Sequence, residues 1–173
     1  MAEILIRRAN SADAIAISLV ARTSFKEAFY QDFQYKDDLL AYQERTFRVA
    51  KIRSSLAKPH NYFWLALVDE LPVAYAKLKF PSPTTFSNRA PLAQLQKIYV
   101  LEDFLGQGIG RLLQDEVIKK AQQLTAQGLW LSVYQGNTQA VGFYEHYGLQ
   151  KLATHQFKIG RVDFKFWVMQ LKL

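Results

Sequence analysis

The chain has 173 residues, 50% of them apolar and 14% aromatic, which excludes a disordered polypeptide and suits one domain closing its own core. It contains no cysteine, so disulfides, thiolate zinc sites and a cysteine nucleophile are excluded together. Its net charge of +7 comes from scattered basic residues whose densest groups are only the pairs Arg7-Arg8 and Lys119-Lys120. A nucleic-acid binder would gather such residues into a stripe; dispersed, they read better as a field that attracts a phosphorylated small molecule.

Residues 3–8 alternate weakly and predict an edge strand. Asn10-Ser11 offers an N-cap, after which Ala14, Ile15, Ile17, Leu19, Val20 and Phe25 recur at helical spacing. Residues 29–58 predict one or two further helices, closed by Pro59. A hairpin follows, with arms at 62–68 and 72–80 and a turn at Asp69-Glu70. Residues 81–91 hold Pro81, Pro83 and Pro91 and predict a long loop, a length that usually signals function or mobility.

Residues 92–100 predict a strand, and Leu112, Leu113, Val117, Ile118, Ala121 and Leu124 then form the apolar stripe of an amphipathic helix stopped by Gly128. A strand at 129–134 leads to Asn137, a cap for a short helix ending at Gly148. Strands at 149–157 and 162–171 complete the order β, α, α, β, β, β, α, β, α, β, β. One strand–helix–strand passage makes part of the sheet parallel, so the fold class is α/β with a mixed sheet, residues 1–173 forming a single domain. No apolar run approaches the about 20 residues of a membrane span. Residues 1–8 place their arginines after the apolar run, the reverse of a secretory signal. The expectation is a soluble, cytoplasmic protein with no membrane partner.

The chemistry-bearing segment is Gly106-Gln107-Gly108-Ile109-Gly110-Arg111. Alternating glycines let consecutive backbone N–H groups turn inward at the positive end of a helix, which makes an anion site suited to pyrophosphate. Arg111 adds a charge. A P-loop is excluded because Gly110 is followed by Arg111-Leu112, and a dinucleotide fingerprint because the third glycine comes one place early and no acid ends the next strand.

These residues resemble the acyl-CoA loop of the GNAT superfamily of N-acetyltransferases, whose pattern is Gln/Arg-x-x-Gly-x-Gly/Ala. A second signature of that family is similar to the stretch from Trp130 to Leu149, with Asn137-x-x-Ala140-x-x-Phe143-Tyr144 and then Gly148. Lys97-Ile98-Tyr99-Val100, together with His155-x-Phe157-x-x-Gly160, resembles the bacterial spermidine/spermine acetyltransferase branch. The resemblance implies a central mixed, splayed sheet flanked by helices, acetyl-CoA as co-substrate and no metal. It also implies roles. Ile98, Tyr99 and Val100 would run beside the pantetheine arm, with the Val100 N–H polarising the thioester carbonyl. Residues Gly106, Gln107, Gly108, Ile109, Gly110 and Arg111 would hold the pyrophosphate. Asn137 would bind the pantetheine end, and Tyr144 would protonate the departing thiolate.

Plainer readings stand beside these. Tyr144 lies on the apolar stripe of its helix and suits a core, Asn137 suits an N-cap, and His155 suits a packed histidine. His60 and His146 read as surface residues, and three scattered histidines argue against a metal. Two features depart from the family pattern. Leu105 heads the loop in place of Gln or Arg. Gln94 stands at the position matched to a basic Glu, with Gln135 where polyamine enzymes tend to have Glu; an amide neither takes up a proton nor holds an ammonium as a carboxylate does. Residues 26–45 carry five acids against three bases, a candidate acidic lip for the acceptor cleft.

The expected function is acetyl transfer from acetyl-CoA to a primary amine, a small amine or a polyamine such as spermidine or spermine, by direct attack in a ternary complex. Acetylation of a peptide or protein amine over an open groove at 81–91, and a non-catalytic acyl-CoA sensor, are the alternatives. A homodimer is compatible with the sequence, which does not fix the oligomeric state.

Overall fold

The computed structural model describes residues 3–173; Met1 and Ala2, part of the leader comparison above, lie outside the described residues. Seven strands form one sheet in the order β1-β2-β3-β4-β5-β7-β6. They are β1 (Ile4–Arg8), β2 (Asn61–Val68), β3 (Leu71–Lys79), β4 (Leu92–Val100), β5 (Gly128–Tyr134), β6 (Gln150–Ile159) and β7 (Val162–Lys172). Every neighbouring pair is antiparallel except β4 and β5. The helices are α1 (Ala14–Phe29), α2 (Lys36–Phe47), α3 (Val49–Leu56), α4 (Ile109–Gln123) and α5 (Thr138–His146).

The β2–β3 hairpin turns on Asp69 and Glu70, both at positive φ (46° and 68°). Two left-handed central residues match the right-handed twist of the flanking strands. The Glu3 N–H donates to the Asp69 carboxylate at 2.9 Å, which fastens β1 to this turn. The helical block at 29–58 is broken twice, by a 3₁₀ turn at Tyr30–Asp32 and by Arg48, whose ψ of 143° is extended.

The sheet separates two cores. On one face Ile109, Leu113, Val117 and Ala121 of α4 and Val141 and Tyr144 of α5 meet Ala93, Leu95, Leu129, Leu131 and Val133. On the other, Ile17, Val20, Ala21 and Phe25 of α1, Leu39 and Phe47 of α2 and Ile52 of α3 meet Phe63, Leu65, Tyr75 and Phe164. Among the described residues no helix is long and apolar enough to cross a membrane.

Two irregularities in β4 create the functional cleft. Lys77 pairs with Lys97 while Leu78 pairs with Leu95, so Gln96 is an extra, bulged residue. The bulge keeps Ala93 and Leu95 before it, and Ile98 and Val100 after it, on the same α4-facing side of the sheet. The parallel pairing of β4 with β5 also stops early, covering only Leu92–Gly128, Ala93–Leu129 and Gln94–Trp130. Beyond Gln94 the two strands splay apart.

Candidate active site

The splay opens a cleft of about 690 Å3, a size suited to a cofactor-scale ligand. Its walls are residues 95–100 of β4 and 131–134 of β5, and the glycine loop, α5, and Glu27, Phe29 and Asp32 from the α1 side also line it.

The β4 wall presents free backbone. The Leu101 N–H donates to the Val73 carbonyl at 2.9 Å, so its polar groups face β3. Alternation along the strand turns those of Ile98 and Val100 the opposite way, into the gap left by β5. An extended ligand can therefore add to this edge like a strand. Tyr99 has its backbone turned to β3, and its ring lies on the α1 side, stacked with Tyr75 at 5.9 Å between centroids. Its contribution to the cleft is a side chain, and burial holds its hydroxyl far above the usual phenol range.

The glycine loop has the geometry of an anion cradle. Gly106 and Gly108 have φ of +75° and +81°, and Gly108 is the N-cap of α4 with no side-chain cap. The first N–H groups of a 15-residue helix are thereby left for a ligand. Gln107 folds back, its amide donating to the Asp103 carbonyl at 3.2 Å. Ile109 is buried and anchors the helix start, while Arg111 is exposed at the cleft rim. Tyr147 ties α5 to this end of α4: its hydroxyl donates within reach of the Asp115 carboxylate (2.9 Å) and the Arg111 carbonyl (3.1 Å). Burial and Asp115 push that hydroxyl up to about 12.

Asn137 caps α5, its Oδ1 accepting from the Ala140 N–H at 3.1 Å, which leaves its amide N–H2 for the cleft it lines. Tyr144 lines the same cleft while only 8% exposed. Burial raises its hydroxyl well above the ordinary value, so it stays protonated. The core reading and the cleft reading of this residue therefore hold together.

This arrangement of splayed β4–β5, free strand edge and glycine-capped α4 agrees with the sequence match: residues 22–149 fit the Acetyltransferase (GNAT) family. The chain belongs to that family. As a GNAT protein it is an acetyl-CoA-dependent N-acetyltransferase, with acetyl-CoA as co-substrate. A relative from Lactobacillus delbrueckii subsp. lactis, the uncharacterized N-acetyltransferase in the pepI 3′ region, is 26% identical over 141 residues, covering 82% of this chain and 81% of that one. The PaiA N-acetyltransferase of Thermoplasma acidophilum, solved with coenzyme A, superposes with a TM-score of 0.79 at 19% identity, covering 99% of each chain. Arabidopsis thaliana NAA60 with a bisubstrate analogue gives 0.77 at 15%, again over 99% of each. At these identities the two structures show the shared fold.

The acceptor end of this GNAT chain differs from the sequence expectation in four places. Gln94 does not line the cleft; its Oε1 accepts from Ser82 Oγ (2.9 Å) and Gln96 Nε2 (3.1 Å), and the bulge brings Gln96 to the wall instead. Gln135 is turned to β7, its amide donating to the Phe166 carbonyl at 3.4 Å. Of the five acids in 26–45, only Glu27 and Asp32 reach the cleft. Asp37 and Asp38 are taken by Arg161 at 2.7 and 3.0 Å, and Glu44 by Arg22 at 2.8 Å. The loop at 81–91 is fastened rather than free: Trp130 Nε1 donates to the Ser82 carbonyl (2.7 Å), Ser87 bonds Gln170 (3.2 Å) and Phe86 stacks over His155 (6.0 Å).

Glu27 accepts from the Glu102 N–H at 2.8 Å, and Asp32 from the Tyr134 hydroxyl at 3.2 Å. The Tyr134 ring crosses Gly136 so closely that a Cβ there would lie 2.5 Å from it, which is why that turn needs glycine. Lys97, given no role of its own by the sequence, lies on the cleft wall over the rings of Phe47 (5.5 Å) and Tyr99 (6.0 Å). Burial lowers its ammonium to about 8, and burial together with Lys97 lowers its cross-strand partner Lys77 to about 8. A lysine inside an apolar strand was the available signal for it. Glu27, Asp32, Gln96 and Ser132 gave none, because nothing local marks them as sharing a cavity.

Proposed function

We propose that residues 1–173 act as one catalytic unit that transfers the acetyl group of acetyl-CoA to a small primary amine, a polyamine such as spermidine or spermine among them, by direct attack in a ternary complex. The observation that carries this reading is the continuity of one cleft, from the anion cradle at α4 to the carboxylates Glu27 and Asp32. A pyrophosphate on the N–H groups of residues 106–111 and a pantetheine arm along Ile98 and Val100 run the thioester toward the acidic end. The Val100 N–H is the donor aimed at the carbonyl oxygen, where preorganised donors lower the barrier most. Asn137 orients the arm with its free amide, and Tyr144 supplies a hydroxyl to the departing sulfur.

The two carboxylates supply the cation attraction that Gln94 and Gln135 lack, which supports an acceptor with an ammonium group. The fastened loop at 81–91 favours a small acceptor over a folded protein. Thiol release from acetyl-CoA, measured across alkylamines, polyamines and peptides, tests the reading. Turnover should rise with amines and polyamines. Release no faster than hydrolysis with every amine, or with peptides alone as acceptors, would sink it.

A further inference from the structure

A tetrahedral attack needs a neutral amine, and the β4 positions where the usual base would stand, Gln94 and Gln96, are amides; of the carboxylates lining the cleft, Glu27 is held by the Glu102 N–H, Asp32 by Tyr134, and Glu102 lies past the end of β4. On the β5 wall, Ser132 is exposed and lines the cleft. Its Oγ lies 2.9 Å from Nε2 of His155, a half-buried residue two strands away on β6. The imidazole is stacked between two rings, Phe166 (5.3 Å, 17°) and Phe86 (6.0 Å, 26°). Phe86 is held over it by the fastening of its loop through Ser87 and Gln170.

We infer that Ser132 and His155 form the proton relay of the acetyl transfer, with Ser132 touching the acceptor ammonium and His155 receiving the proton through it. The inference rests on the acetyl-transfer reading above. An ammonium N–H donates to Ser132 Oγ, and the Ser132 hydroxyl proton passes to Nε2. The free amine then attacks the thioester carbonyl, the C–N bond forms and the C–S bond breaks. The second amine proton neutralises the leaving thiolate through the Tyr144 hydroxyl, so the products are the amide, free CoA and one proton on His155. The imidazole stays stacked between the faces of Phe86 and Phe166 while it holds the proton.

The test compares ethylamine with trifluoroethylamine, which is uncharged at neutral pH, in wild type and in Ser132→Ala and His155→Gln. With ethylamine both variants should lose about 10²-fold in kcat/KM, the usual worth of a positioned base. With trifluoroethylamine, which brings no ammonium proton, the loss should shrink to within a few-fold. CoA affinity measured by calorimetry should match wild type in both variants, which shows that the fold and the cofactor half are intact. Equal losses with both amines, or no loss, overturn the relay and leave the transferase reading standing. No release by wild type with any amine overturns both.

Discussion

Two glycines of the proposed pyrophosphate loop, two residues apart, should respond to the same added methyl with opposite signs. Gly108 sits at φ +81°, ψ 0°, as the N-cap of α4, and an ideal Cβ there meets nothing within 4 Å. Gly108→Ala therefore introduces no clash, only the left-handed strain of an L-residue, about 1–2 kcal/mol. Gly110 is inside the helix with ordinary φ, and its Cβ would make normal contacts with Val100 (3.9 Å) and Phe143 (4.0 Å). Gly110→Ala gains helix propensity, up to about 1 kcal/mol and closer to 0.5 this near the helix end. At this chain length 1 kcal/mol moves Tm by about 2–4 °C. Gly108→Ala should fall by several degrees while Gly110→Ala rises by one or two. Relief of strain by rotating the Gly108 peptide would misalign one N–H, and losing a hydrogen bond to a charged group, about 1.5 kcal/mol, weakens CoA about tenfold. Calorimetry should show that loss for Gly108→Ala and not for Gly110→Ala. Equal Tm shifts at the two positions, or full CoA affinity in Gly108→Ala, would refute the cradle geometry.

Tyr144→Phe should lower kcat about 10²-fold with CoA affinity nearly unchanged; unchanged turnover would leave Tyr144 a wall residue only. The double change Glu27→Gln with Asp32→Asn should raise KM for spermidine about tenfold and leave KM for acetyl-CoA alone, since both carboxylates line the cleft and are proposed to hold the acceptor ammonium. If KM rises equally for an uncharged amine, the carboxylates do not read the charge. Lys77 and Lys97 hold folded values of about 8, below their ordinary 10.5, so between these values the unfolded chain binds more protons and stability rises with pH. Urea midpoints from pH 7 to 10 should climb in wild type. Lys97→Met should be more stable at pH 7 with a flatter profile, and parallel profiles would show that Lys97 is not buried as a cation.

Much of the fold is written in local patterns. The 3.6-residue stripe of α4, the turn at Asp69-Glu70 and the cap at Asn137 are short-range signals, and each lies where the periodicity puts it. The glycine loop, the helix end and the strand edge that form the proposed cofactor half are legible for the same reason, because they are backbone features specified within residues 98–111. The role of Gln94 was not legible, because a one-residue bulge carries no composition of its own. Counting along β4 as a regular strand places Gln94 on the face that the bulge at Gln96 assigns elsewhere. The loop at 81–91 likewise reads as mobile from its prolines, while its anchors, Trp130 and Gln170, are 48 and 83 residues from their partners.

The acceptor half is assembled from residues that are bland where they stand, and their charges order the chemistry. In the proposed reading Glu27 and Asp32, which line the cleft, attract the ammonium form of an amine. Lys97, on the wall beside the bulge, carries positive charge through most of the physiological range, because its lowered value of about 8 still lies above neutrality. An amine moving from the carboxylates toward the thioester is thus favoured as a cation at first and disfavoured as one later. A neutral amine feels neither charge strongly, so the field itself makes loss of the proton more favourable along the path. Gln96 in place of a carboxylate fits this arrangement: an anion beside Lys97 would cancel the gradient and hold the ammonium where the nucleophile has to be neutral. A cleft built this way needs a proton acceptor off the direct path, reached through a small hydroxyl. Ser132, backed by the stacked His155, stands on the β5 wall of the cleft.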